Sequence, residues 1–318
     1  MNTIEKRIEE LYAYQPYRTS PPDLDAFWER VKQLSSNESS FASRRSERET
    51  LFHGVNVYDV QYEGFEETTI HGLYMVPQLK SLDKTAPCLI TFPGYTGGKG
   101  DPEDYAHLLL MGYAVFAVDV RGQGGDTGNR LPMEHGGVKG WITQNILDVE
   151  RCYYKAIAVD ALRAVTWLSE QLEIDSGRIG VIGGSQGGGL ALITAAMHEQ
   201  IRLCVADIPN MCHMDYGVMH STGSLSEVAD FCRRFPEHMV AVLRHLSYFD
   251  MLNLSDRLHV PLLMSVGLKD TVCLPEQIVP VYRSAASEIK RIEFYPFTGH
   301  AVEKAQRRIG MQFIHQYL

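Results

Sequence analysis

The chain has 318 residues, of which 45% are hydrophobic and 22% charged, and this ordinary balance excludes a wholly disordered, collagen-like or coiled-coil protein. The 30 basic and 39 acidic residues give a net charge of −9, which argues against nucleic acid as the main partner. No run approaches the roughly 18 apolar residues of a membrane helix and the first ten residues lack an apolar signal segment, so we expect a cytoplasmic protein without a membrane partner.

The N-terminal region is predicted to be helical with a proline-rich interruption. Apolar spacing predicts helices over Asn2–Tyr14 and Asp23–Leu34. The Ser35–Glu49 segment, rich in Ser, Arg and Glu, is predicted to be a polar loop. Alternating residues then predict two strands, Val55–Tyr62 and Thr68–Val76, which would extend one edge of a sheet.

From Cys88 onward, short apolar runs alternate with helical segments. The runs predict strands at Cys88–Phe92, Tyr113–Val118, Ile179–Ile182, Leu203–Ala206, Leu262–Val266 and Ile292–Tyr295. The intervening patterns predict helices at Pro102–Met111, Asp148–Leu172, Gln186–His198, Pro275–Ser287 and about Ala301–Tyr317. Such alternation is typical of an α/β fold, in which a mostly parallel central sheet is flanked by helices.

We expect one domain over residues 1–318, with residues 1–50 as an N-terminal helical extension. Residues 209–256 interrupt the alternation and form a predicted helical insertion, either a cap over a site or an oligomer contact. The six cysteines include no C-x-x-C pair, which favours free thiols in a reducing compartment.

The motif Gly183-Gly184-Ser185-Gln186-Gly187 predicts a nucleophilic serine. It matches G-x-S-x-G and lies between a predicted strand and a helix rich in small residues. A nucleophile elbow needs this context, because glycines two residues before and after the serine let strand and helix pass closely. Ser185 is therefore the predicted nucleophile.

A serine hydroxyl needs a base, and in this fold the chain order is serine, acid, histidine. His300 follows the last predicted strand and is the predicted base, whereas His315 lies in the terminal helix. Asp270 ends the preceding strand and is the predicted acid; Asp207, one strand earlier, is the alternative. The acid would hold the imidazole tautomer and stabilise the imidazolium.

Two backbone N–H groups should stabilise an oxyanion. One is predicted at Gln186, directly after the nucleophile. The other should come from the glycine-rich loop after Cys88–Phe92, where Pro93 has no N–H and Tyr95 is the better candidate. For Arg121 and Gln123, we favour a structural role that ties neighbouring loops together over direct substrate contact.

These residues resemble the cephalosporin-C deacetylase and acetyl-xylan esterase group, carbohydrate esterase family seven. The matching segments are Pro22–Trp28, Gly94–Gly98, Arg121–Gly124, Gly140-Trp141 through Asp148, Gly183–Gly188, Leu246–Asp250 and Gly267–Asp270. The resemblance implies an α/β-hydrolase fold and removal of small acyl groups, chiefly acetyl, from acetylated xylo-oligosaccharides and cephalosporin C. It assigns Ser185, Asp270 and His300 to catalysis.

The resemblance also implies Tyr95 and Gln186 as oxyanion donors, no metal or cofactor, and ring-shaped hexamers. This chain departs from the pattern at Pro93, where relatives often carry histidine, and at Thr96, where asparagine is common. Both positions adjoin the oxyanion loop and bear on substrate preference. The alternatives are a general short-chain carboxylesterase, a serine peptidase of the same fold, and a hydrolase-like binding protein without catalysis.

Overall fold

A nine-stranded sheet organises the described part of the protein, a computed structural model covering residues 2–36, 42–78 and 85–318. The strands are β1 (Ser43–Arg48), β2 (Val55–Glu63), β3 (Thr69–Pro77), β4 (Ala86–Phe92), β5 (Ala114–Val118), β6 (Ile174–Gly184), β7 (Ile201–Asp207), β8 (Leu262–Gly267) and β9 (Lys290–Tyr295). Their order across the sheet is β1-β2-β3-β5-β4-β6-β7-β8-β9. Strands β4 to β9 run parallel to one another. Strands β1, β2 and β3 extend the sheet at one edge through antiparallel pairs. The predicted mostly parallel sheet is therefore confirmed.

The helices cover both faces of this sheet. They are α1 (Thr3–Ala13), α2 (Leu24–Ser36), α3 (Ala106–Leu110), α4 (Tyr153–Ser169), α5 (Gln186–Met197), α6 (Met214–His220), α7 (Leu225–Arg234), α8 (Met239–Leu246), α9 (Met251–Leu254), α10 (Pro275–Ser284) and α11 (Lys304–Tyr317). Successive strand residues point to opposite faces. Thus Cys88 and Ile90 of β4 join the core cluster that includes α2, α4 and α5, while Leu89 joins the cluster with α3 and α11.

The predicted polar loop over Ser35–Glu49 is wrong in part, because Ser43–Arg48 form strand β1; residues 37–41 lie outside the described ranges. The strand pairs with β2 through backbone hydrogen bonds. Its side chains stay exposed or half-exposed at the sheet edge, so its sequence is polar. Arg45 anchors it by lying 4.3 Å over the ring of Tyr58 and pairing with Glu173 at 2.7 Å.

Two other predicted boundaries shift. The helix predicted over Asp148–Leu172 is shorter, since turns precede Tyr153 and the helix ends at Ser169. The strand predicted at Ile179–Ile182 begins earlier, at Ile174, and extends to Gly184.

All six cysteines lie in the described ranges as free thiols, five of them buried. Across residues 2–36, 42–78 and 85–318, none of the helices has the length and apolar character needed to span a membrane.

Helix α1 packs against α10, whereas α2 packs against α4 and contacts Tyr248 after α8. Arg7 of α1 pairs with Glu276 of α10 at 2.5 Å. On α2, Phe27 and Trp28 are fully buried, and the Trp28 indole N–H donates to the Tyr248 carbonyl oxygen at 2.9 Å. The N-terminal segment is therefore anchored to α10 and to the residues after α8.

Candidate active site

Ser185 lies at the sharp turn between β6 and α5, with φ 57° and ψ −122°. A non-glycine residue rarely adopts this conformation, which persists only where its surroundings fix it. The Ser185 N–H donates to the Asp207 carbonyl oxygen at 2.9 Å, and its own carbonyl accepts N–H groups from Gly189 (3.0 Å) and Asn210 (2.9 Å). These bonds hold the strained backbone and place the hydroxyl at the carboxyl end of β6.

Glycines make the turn sterically possible. A Cβ on Gly183 would lie 2.3 Å from the Gly187 carbonyl oxygen. A Cβ on Gly187 would lie 2.0 Å from the carbonyl oxygen of Phe92 in β4. Both contacts are with backbone, which cannot move aside as a flexible side chain could. The glycine spacing therefore lets α5 start directly against β4 and β6.

The structure brings Ser185, His300 and Asp270 together. His300 Nε2 lies 2.9 Å from Ser185 Oγ, and His300 Nδ1 lies 2.8 Å from Asp270 Oδ2. The other Asp270 oxygen, Oδ1, accepts backbone N–H groups from Val272 (2.8 Å) and Cys273 (2.9 Å). The Asp270 side chain is fully buried, whereas 26% of the His300 side chain remains exposed, so water and substrate can reach the imidazole.

These partners determine the histidine tautomer. The carboxylate of Asp270 can only accept hydrogen bonds, so His300 Nδ1 must carry the proton that it donates. Nε2 is then unprotonated in the neutral ring and can accept the proton of Ser185. This arrangement lets His300 act as general base for the serine hydroxyl.

Gln123 connects the two segments predicted to supply oxyanion donors. Its Oε1 accepts the Thr96 N–H at 2.8 Å, and its Nε2 donates to the Gln186 side-chain oxygen at 3.0 Å and to the Tyr153 hydroxyl at 2.9 Å. Gln123 and Gln186 are both buried. The N–H of Gln186 also lies in the first turn of α5, where the positive end of the helix dipole favours a negative oxygen.

Thr96 has φ 70°, an uncommon value for a β-branched residue. It follows Tyr95, whose N–H is the other predicted oxyanion donor. The loop passes close to Ser185, the predicted nucleophile, since a Cβ on Gly94 would lie 3.8 Å from Ser185 Cβ. Thr96, one of the two positions that depart from the pattern implied by the family resemblance, therefore lies in a strained turn beside Ser185.

The Tyr95 side chain points away from that turn and contacts the insertion. Its hydroxyl lies 2.9 and 3.1 Å from the two carboxylate oxygens of Glu227 in α7, and accepts the Trp141 N–H at 2.9 Å. Burial raises the pKa of Tyr95, which keeps the hydroxyl protonated. Burial also raises the pKa of Glu227, and the hydrogen bond from Tyr95 opposes that shift. Glu227 was not among the residues predicted from the sequence, where only its place beside the apolar residues of α7 indicated burial.

Arg121 is fully buried and makes no contact with the three central side chains. Its guanidinium binds both carboxylate oxygens of Asp160 at 2.6 and 2.7 Å, and donates to Thr68 Oγ1 at 3.0 Å. Its carbonyl accepts the Tyr153 hydroxyl at 2.6 Å, and Tyr153 in turn contacts Gln123. Arg121 thus connects the turn before β3, α4 and the loop that carries Gln123.

The alternative acid, Asp207, lies apart from the histidine. Its Oδ1 accepts hydrogen bonds from Ser265 Oγ at 2.7 Å and Gln306 Nε2 at 2.6 Å. Burial raises the pKa of Asp207, and these two hydrogen bonds oppose the shift. His315 is exposed on α11. Within the described ranges, no three His, Cys, Asp or Glu side chains form a group able to ligate a metal ion.

Comparison with known proteins gives consistent matches over most of the chain. The family model described as acetyl xylan esterase (AXE1) matches residues 1–317. The solved acetyl xylan esterase from Paenibacillus sp. R4 is 35% identical with a TM-score of 0.93, over 98% of this chain and 99% of that chain. Acetyl xylan esterase 1 from Thermoanaerobacterium sp. JW/SL YS485 is 28% identical with a TM-score of 0.90, over 98% of both chains.

Among curated proteins, the acetyl esterase Axe7A of Xylanibacter ruminicola is 24% identical over 82% of this chain. The present chain spans 59% of the length of Axe7A. The solved neighbours and the strand order confirm the predicted α/β-hydrolase fold.

Proposed function

This chain belongs to the acetyl xylan esterase family of carboxylic ester hydrolases, and from that premise we propose that it removes acetyl groups from acetylated xylo-oligosaccharides and small cephalosporin C-like esters. The observation that carries the proposal is the continuous hydrogen-bonded path from Ser185 Oγ through His300 to buried Asp270. The strained backbone of Ser185 supports it, because such strain concentrates at functional sites.

In the proposed reaction, Ser185 Oγ attacks the acetyl carbonyl carbon while His300 Nε2 takes the hydroxyl proton. The carbonyl oxygen becomes an oxyanion between the N–H groups of Tyr95 and Gln186. As the intermediate collapses, the C–O bond to the alcohol breaks and His300 gives its proton to the departing oxygen. An acetyl-enzyme remains on Ser185.

Water then completes the cycle. His300 takes a proton from water, and the resulting hydroxide attacks the acetyl carbonyl. Collapse of the second intermediate breaks the bond to Ser185 Oγ, which recovers its proton from His300, and acetic acid leaves and ionises to acetate in solution. Asp270 keeps the imidazole oriented in both halves and stabilises its positive charge.

We test this proposal with p-nitrophenyl esters from acetate to octanoate, comparing the native protein with Ser185→Ala. A steep fall in kcat/KM beyond acetate or propionate, with activity abolished in the variant, supports an acetyl esterase. Loss of the nucleophile should lower kcat on the order of 10⁶-fold. A maximum at butyrate or longer would favour a general short-chain carboxylesterase instead, and wild-type rates in Ser185→Ala would contradict the mechanism.

We also propose that the insertion over residues 209–256 acts as a cap. Its α7 contacts Tyr95 through Glu227, and Ser221 and Thr222 bond to residues just after Asp270. A homohexamer stays a prediction from the family resemblance. Light scattering after size-exclusion chromatography measures the assembly: six copies are expected, and a monomer would contradict that prediction.

A further inference from the structure

Three separate segments meet at the hydroxyl group of Tyr95. The hydroxyl donates a hydrogen bond to the Glu227 carboxylate, 2.9 Å from Oε2. It accepts a hydrogen bond from the backbone N–H of Trp141 at 2.9 Å. Tyr95 belongs to the loop after β4, Trp141 to the long segment after β5, and Glu227 to α7 of the insertion. One phenol oxygen therefore joins all three, and its single proton is committed to Glu227.

The surroundings of the Glu227 carboxylate are closely fitted. Glu227 is 6% exposed. A Cβ on Gly140, which has φ +74°, would lie 2.1 Å from Glu227 Oε2, so the carboxylate occupies the space of a missing side chain. The Trp141 ring meets the Tyr95 ring edge to face, with centroids 5.4 Å apart. Tyr95 is thus held in one position from both sides.

The same loop is fixed at its other end by Gln123. The next residue, Thr96, donates its N–H to Gln123 Oε1 at 2.8 Å, and Gln123 also contacts Gln186. The N–H of Tyr95 directly precedes both attachments in the chain: the Tyr95 side chain reaches Glu227 in the insertion, and the next peptide N–H, that of Thr96, reaches Gln123. Movement at either attachment would displace that N–H from the position of a developing oxyanion.

We propose that Glu227 is a positioning residue that fixes the oxyanion donor of Tyr95 through the tyrosine hydroxyl, coupling the insertion to the chemistry of Ser185. The inference rests on the proposed function for the role of the Tyr95 N–H. Glu227 does not touch the reacting atoms. Its contribution appears where charge develops on the carbonyl oxygen, which is in the transition state rather than in the bound ester.

Glu227→Ala removes the acceptor and leaves the Tyr95 hydroxyl held only by the backbone N–H of Trp141. Deleting one oxyanion donor costs about 10²–10³ in kcat, and a displaced donor keeps part of its effect, so we expect a loss of about 10- to 100-fold. KM for p-nitrophenyl acetate should change less than about threefold, because donor placement matters mainly in the transition state. Glu227→Gln should retain most of the rate, since its amide oxygen still accepts the hydroxyl.

Tyr95→Phe keeps the backbone N–H but removes the hydroxyl, and should match Glu227→Ala. The double variant should be no slower than the slower single variant, because both changes break the same bond. Glu237→Ala is the matched control: Glu237 is an exposed glutamate just beyond α7, and its removal should leave kcat unchanged. Thermal unfolding confirms that each variant is folded.

A second measurement separates this inference from the proposed acetyl esterase activity. Phosphonylation of Ser185 by a fluorophosphonate, followed by mass spectrometry, needs the nucleophile and the oxyanion donors but no acetyl substrate. Slower labelling in folded Glu227→Ala supports the inference even if acetyl esters are not hydrolysed. Unchanged labelling and kcat in that variant, or losses that multiply in the double variant, would overturn it.

Discussion

Replacing Asp270 by asparagine tests the assignment of the acid. The Val272 and Cys273 N–H groups bind one oxygen of Asp270 and would bind the amide oxygen of asparagine in the same way. The amide NH₂ then faces His300 Nδ1, which must accept rather than donate. The ring proton moves to Nε2, so His300 can no longer take the proton of Ser185.

Flipping the asparagine amide would turn its oxygen, an acceptor, toward His300 Nδ1. The backbone N–H groups of Val272 and Cys273 would then face the amide NH₂, which is itself a donor. Unsatisfied buried donors cost about 1–3 kcal/mol each, so the flip is disfavoured. Loss of the correct tautomer lowers kcat by about 10⁴, equivalent to about 5.4 kcal/mol of transition-state stabilisation.

The assay is the kcat of p-nitrophenyl acetate hydrolysis, with thermal unfolding as a check on the fold. Asp207→Asn is the matched control, because the Asp207 side chain bonds Ser265 and Gln306 and not His300. Its kcat should stay within about threefold of the native value, since only structural hydrogen bonds change. A kcat within tenfold of wild type for Asp270→Asn, or an equal loss in both variants, would refute the assignment.

Three further predictions concern the nucleophile turn, the oxyanion loop and acid stability. Gly187→Ala places a Cβ 2.0 Å from the Phe92 carbonyl oxygen and should abolish fluorophosphonate labelling of Ser185, whereas a native labelling rate would contradict this. Gly136→Ala is the control, because its Cβ would make only an ordinary contact with the Phe235 ring at 3.9 Å. Thr96→Asn should raise the free energy of unfolding, measured in urea, by about 1 kcal/mol, because asparagine tolerates φ 70° better than threonine. The Thr96 side chain is exposed, so the change disturbs no packing. A decrease in the free energy of unfolding would contradict the strain argument. Burial lowers the pKa of His198 from 6.5 to about 4, so the unfolded chain binds more protons between these values and stability should fall as pH drops through them. The loss in the free energy of unfolding is at most about 3 kcal/mol, and smaller because His198 is only half-buried. Urea titrations at pH 7 and pH 5 should show that this free energy changes less with pH in His198→Gln than in the native protein. An equal change in both proteins would refute the lowered pKa of His198.

The nucleophile turn was predictable because its signal is local. Gly183, Ser185 and Gly187 lie within five residues, and the apolar run before them and the small residues after them give the strand and the helix. His300 and Asp270 follow from the parallel sheet, since loops after neighbouring strands β8 and β9 open at the same edge. Sequence order then leaves few residues able to meet Ser185.

Glu227 was not predictable, because its role depends on how the insertion packs. The sequence predicts helices over residues 209–256 but gives no direction for them relative to Tyr95. Strand β1 was missed for a different reason. At a sheet edge, Ser43–Arg48 need only backbone pairing with β2, so their side chains carry no apolar alternation from which a strand could be inferred.

The docking of α1 on α10 has a consequence for folding during synthesis. The two helices are about 260 residues apart in the chain, and at roughly 5–20 residues per second the ribosome completes α10 about 13–50 s after α1 has been made. Trp28 must likewise wait for Tyr248, whose carbonyl it contacts. During that interval the apolar face of α1 lacks α10, its final partner, so α1 is made well before it can be buried.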